Sequence, residues 1–112
     1  MEALPLFAVV DRRADGVTLR LEGEVDLATA DVLRGVLDAT RPATGTFVLD
    51  VSDIEFMDSC GMHILLAEQQ AAHDAGHRLV VSGAHGEVRR ALRATGVDAV
   101  VCLLPDDRAA SA

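Results

Sequence analysis

Residues 47 to 66 read Phe-Val-Leu-Asp-Val-Ser-Asp-Ile-Glu-Phe-Met-Asp-Ser-Cys-Gly-Met-His-Ile-Leu-Leu, and this stretch decides both the fold and the site. Phe47, Val48, Leu49 and Val51 form a short apolar run, the pattern of a buried strand. Residues 52–55 read as a polar loop, after which Phe56 and Met57 return to the core. Asp58 and Ser59 then open a segment whose apolar residues recur at helical spacing. Asp and Ser favour a helix N-cap because their oxygens accept backbone N–H groups that the first turn leaves unpaired. A serine hydroxyl therefore stands at the positive end of a helix, beside a carboxylate, with Gly61 allowing close approach. Such a spot tolerates an anion and suits a phosphate.

Working outward, residues 6–11 and 17–21 are strand-like runs joined by Arg13-Ala14-Asp15-Gly16, where Asp-Gly is a strong hairpin signal. Leu27, Ala30, Val32, Leu33, Val36 and Leu37 recur at helical spacing, and that helix should stop before Pro42. Beyond Ser59, the residues Met62, Leu65, Leu66, Gln69 and Ala72 mark the inner face of a second helix that ends near Gly76. Residues 78–82 form a buried strand, and residues 87–95 a third helix with Val88, Ala91 and Leu92 inward, closed by Gly96. Residues 99–103 give a last apolar strand. Strands separated by helices of this length imply crossovers and a largely parallel sheet. An antiparallel N-terminal hairpin makes the domain mixed α/β.

A chain of 112 residues is one domain. It can bury about two-thirds of its unfolded surface, enough for a core without staples. The core is expected over residues 5–104, with short flexible ends. Net charge is −8 and all ten basic residues are arginine. An acidic domain lacks the basic stripe that neutralises phosphates, so direct nucleic-acid or anionic-membrane binding is disfavoured. A basic protein partner fits through electrostatic steering. Cys60 and Cys102 make neither a disulfide framework nor a metal knuckle. The chain shows no signal peptide and no apolar run of about 18 residues, so a cytoplasmic protein with free thiols and no membrane span is expected.

Other constellations are weaker. Ser59 has His63 four residues on, one helical turn away, but no evident acid in register to orient it, so a hydrolase reading is poor. His73 and His77 have a metal-like spacing that Gly76 interrupts, and no third ligand converges. No metal, no cofactor and no catalytic residue is therefore assigned. Arg89, Arg90 and Arg93 read as a solvated helix face.

The order strand, acidic loop, Met-Asp-Ser-Xaa-Gly, apolar helix resembles the STAS domain of bacterial anti-sigma-factor antagonists. Its motif falls on Asp58, Ser59 and Gly61, with Cys60 where the usual member has a second serine. Gly23-Glu24-Val25-Asp26-Leu27 resembles the family's turn ahead of its first helix. Val80-Val81-Ser82-Gly83 and Leu92-Arg93-Ala94-Thr95-Gly96-Val97 match its later strand and last helix more loosely. The resemblance implies a STAS-like sheet with three to four helices and a regulatory, non-enzymatic role. It implies that Ser59 is phosphorylated by a partner kinase that is itself the anti-sigma factor, and dephosphorylated by a phosphatase. It also places Asp26, Asp53, Met57, Asp58 and Gly61 on the partner-binding surface. The alternative, also carried by resemblance, is a small-ligand sensor or scaffold module in a signalling assembly.

Overall fold

Strand β1 (Phe7–Arg13) turns back through Ala14 and Asp15 into β2 (Gly16–Val25), the hairpin that Asp15-Gly16 predicts. The computed structural model describes residues 5–104; the flexible ends expected at residues 1–4 and 106–112 lie outside the described residues. After the hairpin come helix α1 (Ala30–Thr40), strand β3 (Thr46–Met57), helix α2 (Ser59–Ala75) and strand β4 (Arg78–Ser82). Helix α3 (Gly86–Ala94), a 3-10 turn (Val97–Ala99) and strand β5 (Cys102–Leu103) complete the described chain. The sheet order is β1-β2-β3-β4-β5. Only the β1–β2 pair is antiparallel, and the other three pairs are parallel, as the alternation of strands and helices predicts.

Register explains where the core sits. Leu19 lies beside Leu49 and Leu49 beside Val81, and all three are fully buried. Leu33 and Leu37 of α1, Ile64 and Leu65 of α2, and Val88 and Leu92 of α3 join that same cluster. The neighbouring row, Thr18, Val48 and Val80, points to the opposite face and is outside it. The three helices therefore cover one face of the sheet. Their apolar stripes and the period-2 alternation of β2 meet across a single interface.

Several boundaries differ from expectation for identifiable reasons. Strand β3 does not end at Val51; residues 52–55 are strand, not loop. Pairing with β2 continues from Glu22↔Asp53 to Val25↔Met57 across two register shifts, at Arg20/Glu22 and Gly23/Glu24. Ile54 and Met57 are buried, whereas Phe56 is exposed rather than in the core. Helix α1 starts at Ala30, so its inner face is Ala30, Leu33, Leu37 and Thr40. Leu27 falls ahead of it and is 81% exposed, and Val32 is also exposed. Of the apolar run before Pro105, part is the 3-10 turn and only Cys102 and Leu103 pair as strand.

One contact between α1 and α2 was not foreseen. Glu68 is buried on the inner side of α2, where Arg41 Nε and Nη2 donate to its Oε2 and Oε1 at 2.6 and 2.7 Å. Arg41 Nη2 also donates to exposed Asp38 at 2.9 Å. The hydrogen bond to Glu68 holds the Arg41 guanidinium pKa above its ordinary value. A bidentate fork of this kind satisfies a carboxylate that burial alone would penalise heavily.

Candidate functional site

Val25 and Met57 are register partners at the carboxyl-terminal ends of two adjacent interior strands. The chain leaves β2 at Asp26 and β3 at Asp58, so the two acidic residues follow neighbouring strand ends. The backbone ties them: Asp58 N–H donates to the Val25 carbonyl at 3.1 Å. Strand ends on this side of a parallel sheet are where sites are built, because loops converge there on a rigid frame.

Each loop is closed by its own carboxylate. Asp58 has the extended backbone of an N-cap, and its Oδ1 accepts the Cys60 N–H at 2.9 Å. The cap is therefore Asp58, and Ser59 is the first residue of α2. Ser59 is exposed, and no hydrogen bond engages its hydroxyl among the described residues. On the other loop, Thr29 N–H donates to Asp26 Oδ1 at 3.1 Å while Asp26 N–H donates to Thr29 Oγ1 at 3.0 Å. Thr29 Oγ1 donates in turn to the Glu24 carbonyl at 2.8 Å. This is the reciprocal logic of a capping box, with threonine in the place usually held by Glu or Gln. Asp26 and Asp58 are half-buried, while Ser59, next to Asp58 in the chain, is open to solvent.

Helix α2 is long enough to carry a dipole to this point. It runs seventeen residues and ends at Gly76, whose φ of 78° is the left-handed C-cap conformation expected there. Gly61 is required by packing. A Cβ there would stand 2.3 Å from Met57 Cγ and 3.0 Å from Val25 Cγ1. Gly61 thus lets the first turn of α2 sit against the ends of β2 and β3.

The family profile described as "Mlab, STAS domain" matches residues 8–105. The chain belongs to the STAS domain family. An anti-sigma F factor antagonist of Paenibacillus polymyxa is 30% identical over 81 residues, 70% of this chain and 69% of that protein. Among solved structures, an anti-sigma factor antagonist from Mycobacterium paratuberculosis superposes with a TM-score of 0.76 at 27% identity, covering 88% of this chain and 84% of that one. The Bacillus cell fate determinant SpoIIAA in its phosphorylated form shares the fold, with a TM-score of 0.63 at 16% identity and coverage of 94% and 97%. This STAS domain thus groups with anti-sigma-factor antagonists.

The residues expected on the partner surface fall in different settings. Ser59, Asp58 and Asp26 come together. Met57 and Gly61 are buried, and they pack against each other where α2 begins. Asp53 is exposed, but it precedes Asp58 by five residues of extended strand, about 16 Å at 3.3 Å per residue. It lines a separate hollow with Glu22, Ser52, Glu55 and His85, because β3 continues where a loop was expected to fold back. Thr29 was missed, although Asp-x-x-Thr ahead of an apolar helix carries the signal. Exposed Leu27 was missed because helical spacing counted it as inward.

The histidines do not build a second centre. His63 is exposed on α2. His73 lies exposed in the last turn of α2, whereas both ring nitrogens of His77 are buried without a partner. Among the described residues no three His, Cys, Asp or Glu side chains converge on one point, and no helix is long and apolar enough to cross a membrane.

Proposed function

We propose that this STAS domain is an anti-sigma-factor antagonist of the cytoplasm, without catalytic activity, whose grip on its partner is broken by phosphorylation of Ser59. The observation that carries this reading is an unengaged, exposed hydroxyl on the first residue of α2, with the cap supplied by its neighbour. A hydroxyl that is not itself the cap is free to be modified without unlatching the helix. Phosphoserine adds about −1.5 to −2 charge at pH 7, which a helix N-terminus accommodates. SpoIIAA, a protein of the same fold, exists in a phosphorylated form, which supports the capacity of this scaffold to carry the group.

The partner in this reading is an anti-sigma factor that is also the serine kinase, and a phosphatase reverses the modification. Asp26 and Asp58 offer that partner a negative rim, and Leu27, 81% exposed directly after Asp26, offers an apolar contact at its edge. A surface so composed fits a basic, partly apolar docking face.

The test is phosphorylation by a purified anti-sigma-factor kinase with ATP, followed by Phos-tag mobility and tandem mass spectrometry. One phosphate on Ser59 is expected, and none in Ser59→Ala. Ser52 is a poor acceptor, because it is half-buried and its hydroxyl donates to Asp50 Oδ1 at 2.6 Å. A phosphate found only on Ser52, Ser82 or Ser111 would overturn the assignment.

A further inference from the structure

Among the described residues most arginines are spoken for. Arg13, Arg34, Arg41 and Arg90 each pair with a carboxylate, Arg12 donates to the Ala39 carbonyl and Arg78 to Cys102 Sγ. With eighteen acidic residues against ten basic ones, a guanidinium without a partner is the exception. Among the described residues Arg20, on β2, is such an exception, and so are Arg89 and Arg93. The latter two lie four residues apart on α3, hence on one face, and both are exposed.

That face borders a cleft of about 310 Å³. Its apolar lining is Ala84, Val101, Leu103 and the exposed Leu104. Cys102 and Asp98 complete the lining. The cleft opens where β4 has just ended and β5 ends, the carboxyl-terminal side of the parallel strands, and it shares no residue with the Ser59 site. Crevices at that end of a parallel sheet are where small ligands bind, and usable ligand pockets begin near about 300 Å³. The lining thus combines apolar side chains with two guanidinium groups that pair with no carboxylate.

We propose that this cleft is a second site, which takes a small organic anion. The ligand has a carboxylate or phosphate head held by Arg89 and Arg93, and a short apolar body resting on Ala84, Val101 and Leu103. Guanidinium matches the geometry of either oxyanion through paired N–H donors. Asp98 opposes the head electrostatically. It limits the ligand's charge and favours a monoanion over a polyanion such as a nucleotide. The site is independent of the Ser59 switch and is read on the free protein.

The test is titration of ¹⁵N-labelled protein with three probes: hexanoate, hexyl phosphate and hexan-1-ol, with inorganic phosphate as a fourth. Saturable amide shifts at Ala84, Arg89 and residues 101–104 are expected with hexanoate, hexyl phosphate or both, and the stronger of the two identifies the head. Hexan-1-ol should bind at least about tenfold more weakly, the loss expected when charged hydrogen bonds to an oxyanion are forgone. Arg89→Gln and Arg93→Gln should each weaken binding by about tenfold on the same reasoning, and the melting temperature of each variant checks that it is folded. In the wild type, raising salt should weaken hexanoate binding, a readout that needs no variant. Absence of saturable shifts with both anions, shifts centred away from the cleft, or binding unchanged in both folded variants would each overturn the proposal. Equal binding of inorganic phosphate would overturn the apolar subsite.

Discussion

Asp58 performs two jobs that a pair of substitutions separates. Its Oδ1 accepts the Cys60 N–H at 2.9 Å, and its half-buried carboxylate puts a negative charge next to Ser59. Asp58→Asn keeps an acceptor oxygen in the same place and removes the charge, whereas Asp58→Ala removes both. Asn and Asp are nearly equal as N-caps, while replacing either by Ala costs typically about 1 kcal/mol and up to about 2. Half-burial of Asp58 puts the loss toward the upper part of that range, since water replaces the bond poorly. For a domain of this size 1 kcal/mol corresponds to about 4 °C, so Asp58→Ala should melt roughly 4–8 °C below the wild type. Asp58→Asn should stay within about 2 °C, the effect of an ordinary surface change. Thermal melts followed by circular dichroism read both. Partner affinity, measured by calorimetry, should fall alike in the two variants, because both lose the charge. If Asp58→Asn melts as low as Asp58→Ala, charge rather than the hydrogen bond holds the start of α2, and the division of labour argued here is wrong.

Other outcomes follow from neighbouring contacts. Ser59→Ala should remain within about 0.5 kcal/mol of wild type in stability, as an exposed residue without a side-chain bond, and should bind its partner undiminished in a pull-down. Asp26→Ala loses the Thr29 N–H bond and should be about 1 kcal/mol less stable than Asp26→Asn, by urea denaturation. Arg41→Met leaves the Glu68 carboxylate buried and unpaired, a cost of about 3–5 kcal/mol that Arg41→Met with Glu68→Met should largely recover. A cost for Arg41→Met within the range of a surface pair, about 1 kcal/mol or less, would show that water reaches Glu68.

Much of this was legible because local signals agreed with the global pattern. Asp15-Gly16 sets the hairpin, Asp58 and Gly76 bracket α2, and the alternation along Val17, Leu19 and Leu21 marks the buried side of β2. The site was legible as a junction, since Asp26 and Asp58 each stand where strand gives way to helix. What stayed hidden depends on pairing partners. Ser52, Asp53 and Glu55 read as loop on polarity, yet β2 holds them in register through two irregularities that no period-2 count detects. Asp53 was therefore moved away from Ser59 by the strand's own length. Leu27 counts as helical only if the helix begins at Asp26, and the Asp26–Thr29 turn delays it to Ala30. Glu68 was passed over because a charged residue on an inner face is expected only when its partner is known, and Arg41 is twenty-seven residues away.

The same phosphate should be nearly silent in the free domain and decisive at an interface, and the difference is one of dielectric. In the free protein Ser59 is exposed, and at a separation of about 4 Å each unit of phosphate charge costs only about 1 kcal/mol against the Asp58 carboxylate in a water-like medium. A negative group in the first turn of α2 gains roughly 0.3–1 kcal/mol from the helix dipole, so the two effects nearly cancel. Phosphorylated protein should accordingly melt within about 4 °C of the unmodified form. Amide shifts should be confined to the loops after β2 and β3 and the first turn of α2. Under a bound partner the effective dielectric falls toward about 20, and the same pair repels by about 4 kcal/mol. The rise over the free protein is about 3 kcal/mol, which at about 1.4 kcal/mol per decade is a loss of about a hundredfold in affinity. A switch of this kind needs no refolding, only a charge placed where binding would dry it. Shifts that spread to the Arg41–Glu68 pair, or a phosphorylated form that melts far lower than the unmodified one, would point to a conformational mechanism instead. Phosphorylated protein that binds its anti-sigma factor as tightly as the unmodified form would remove the switch altogether.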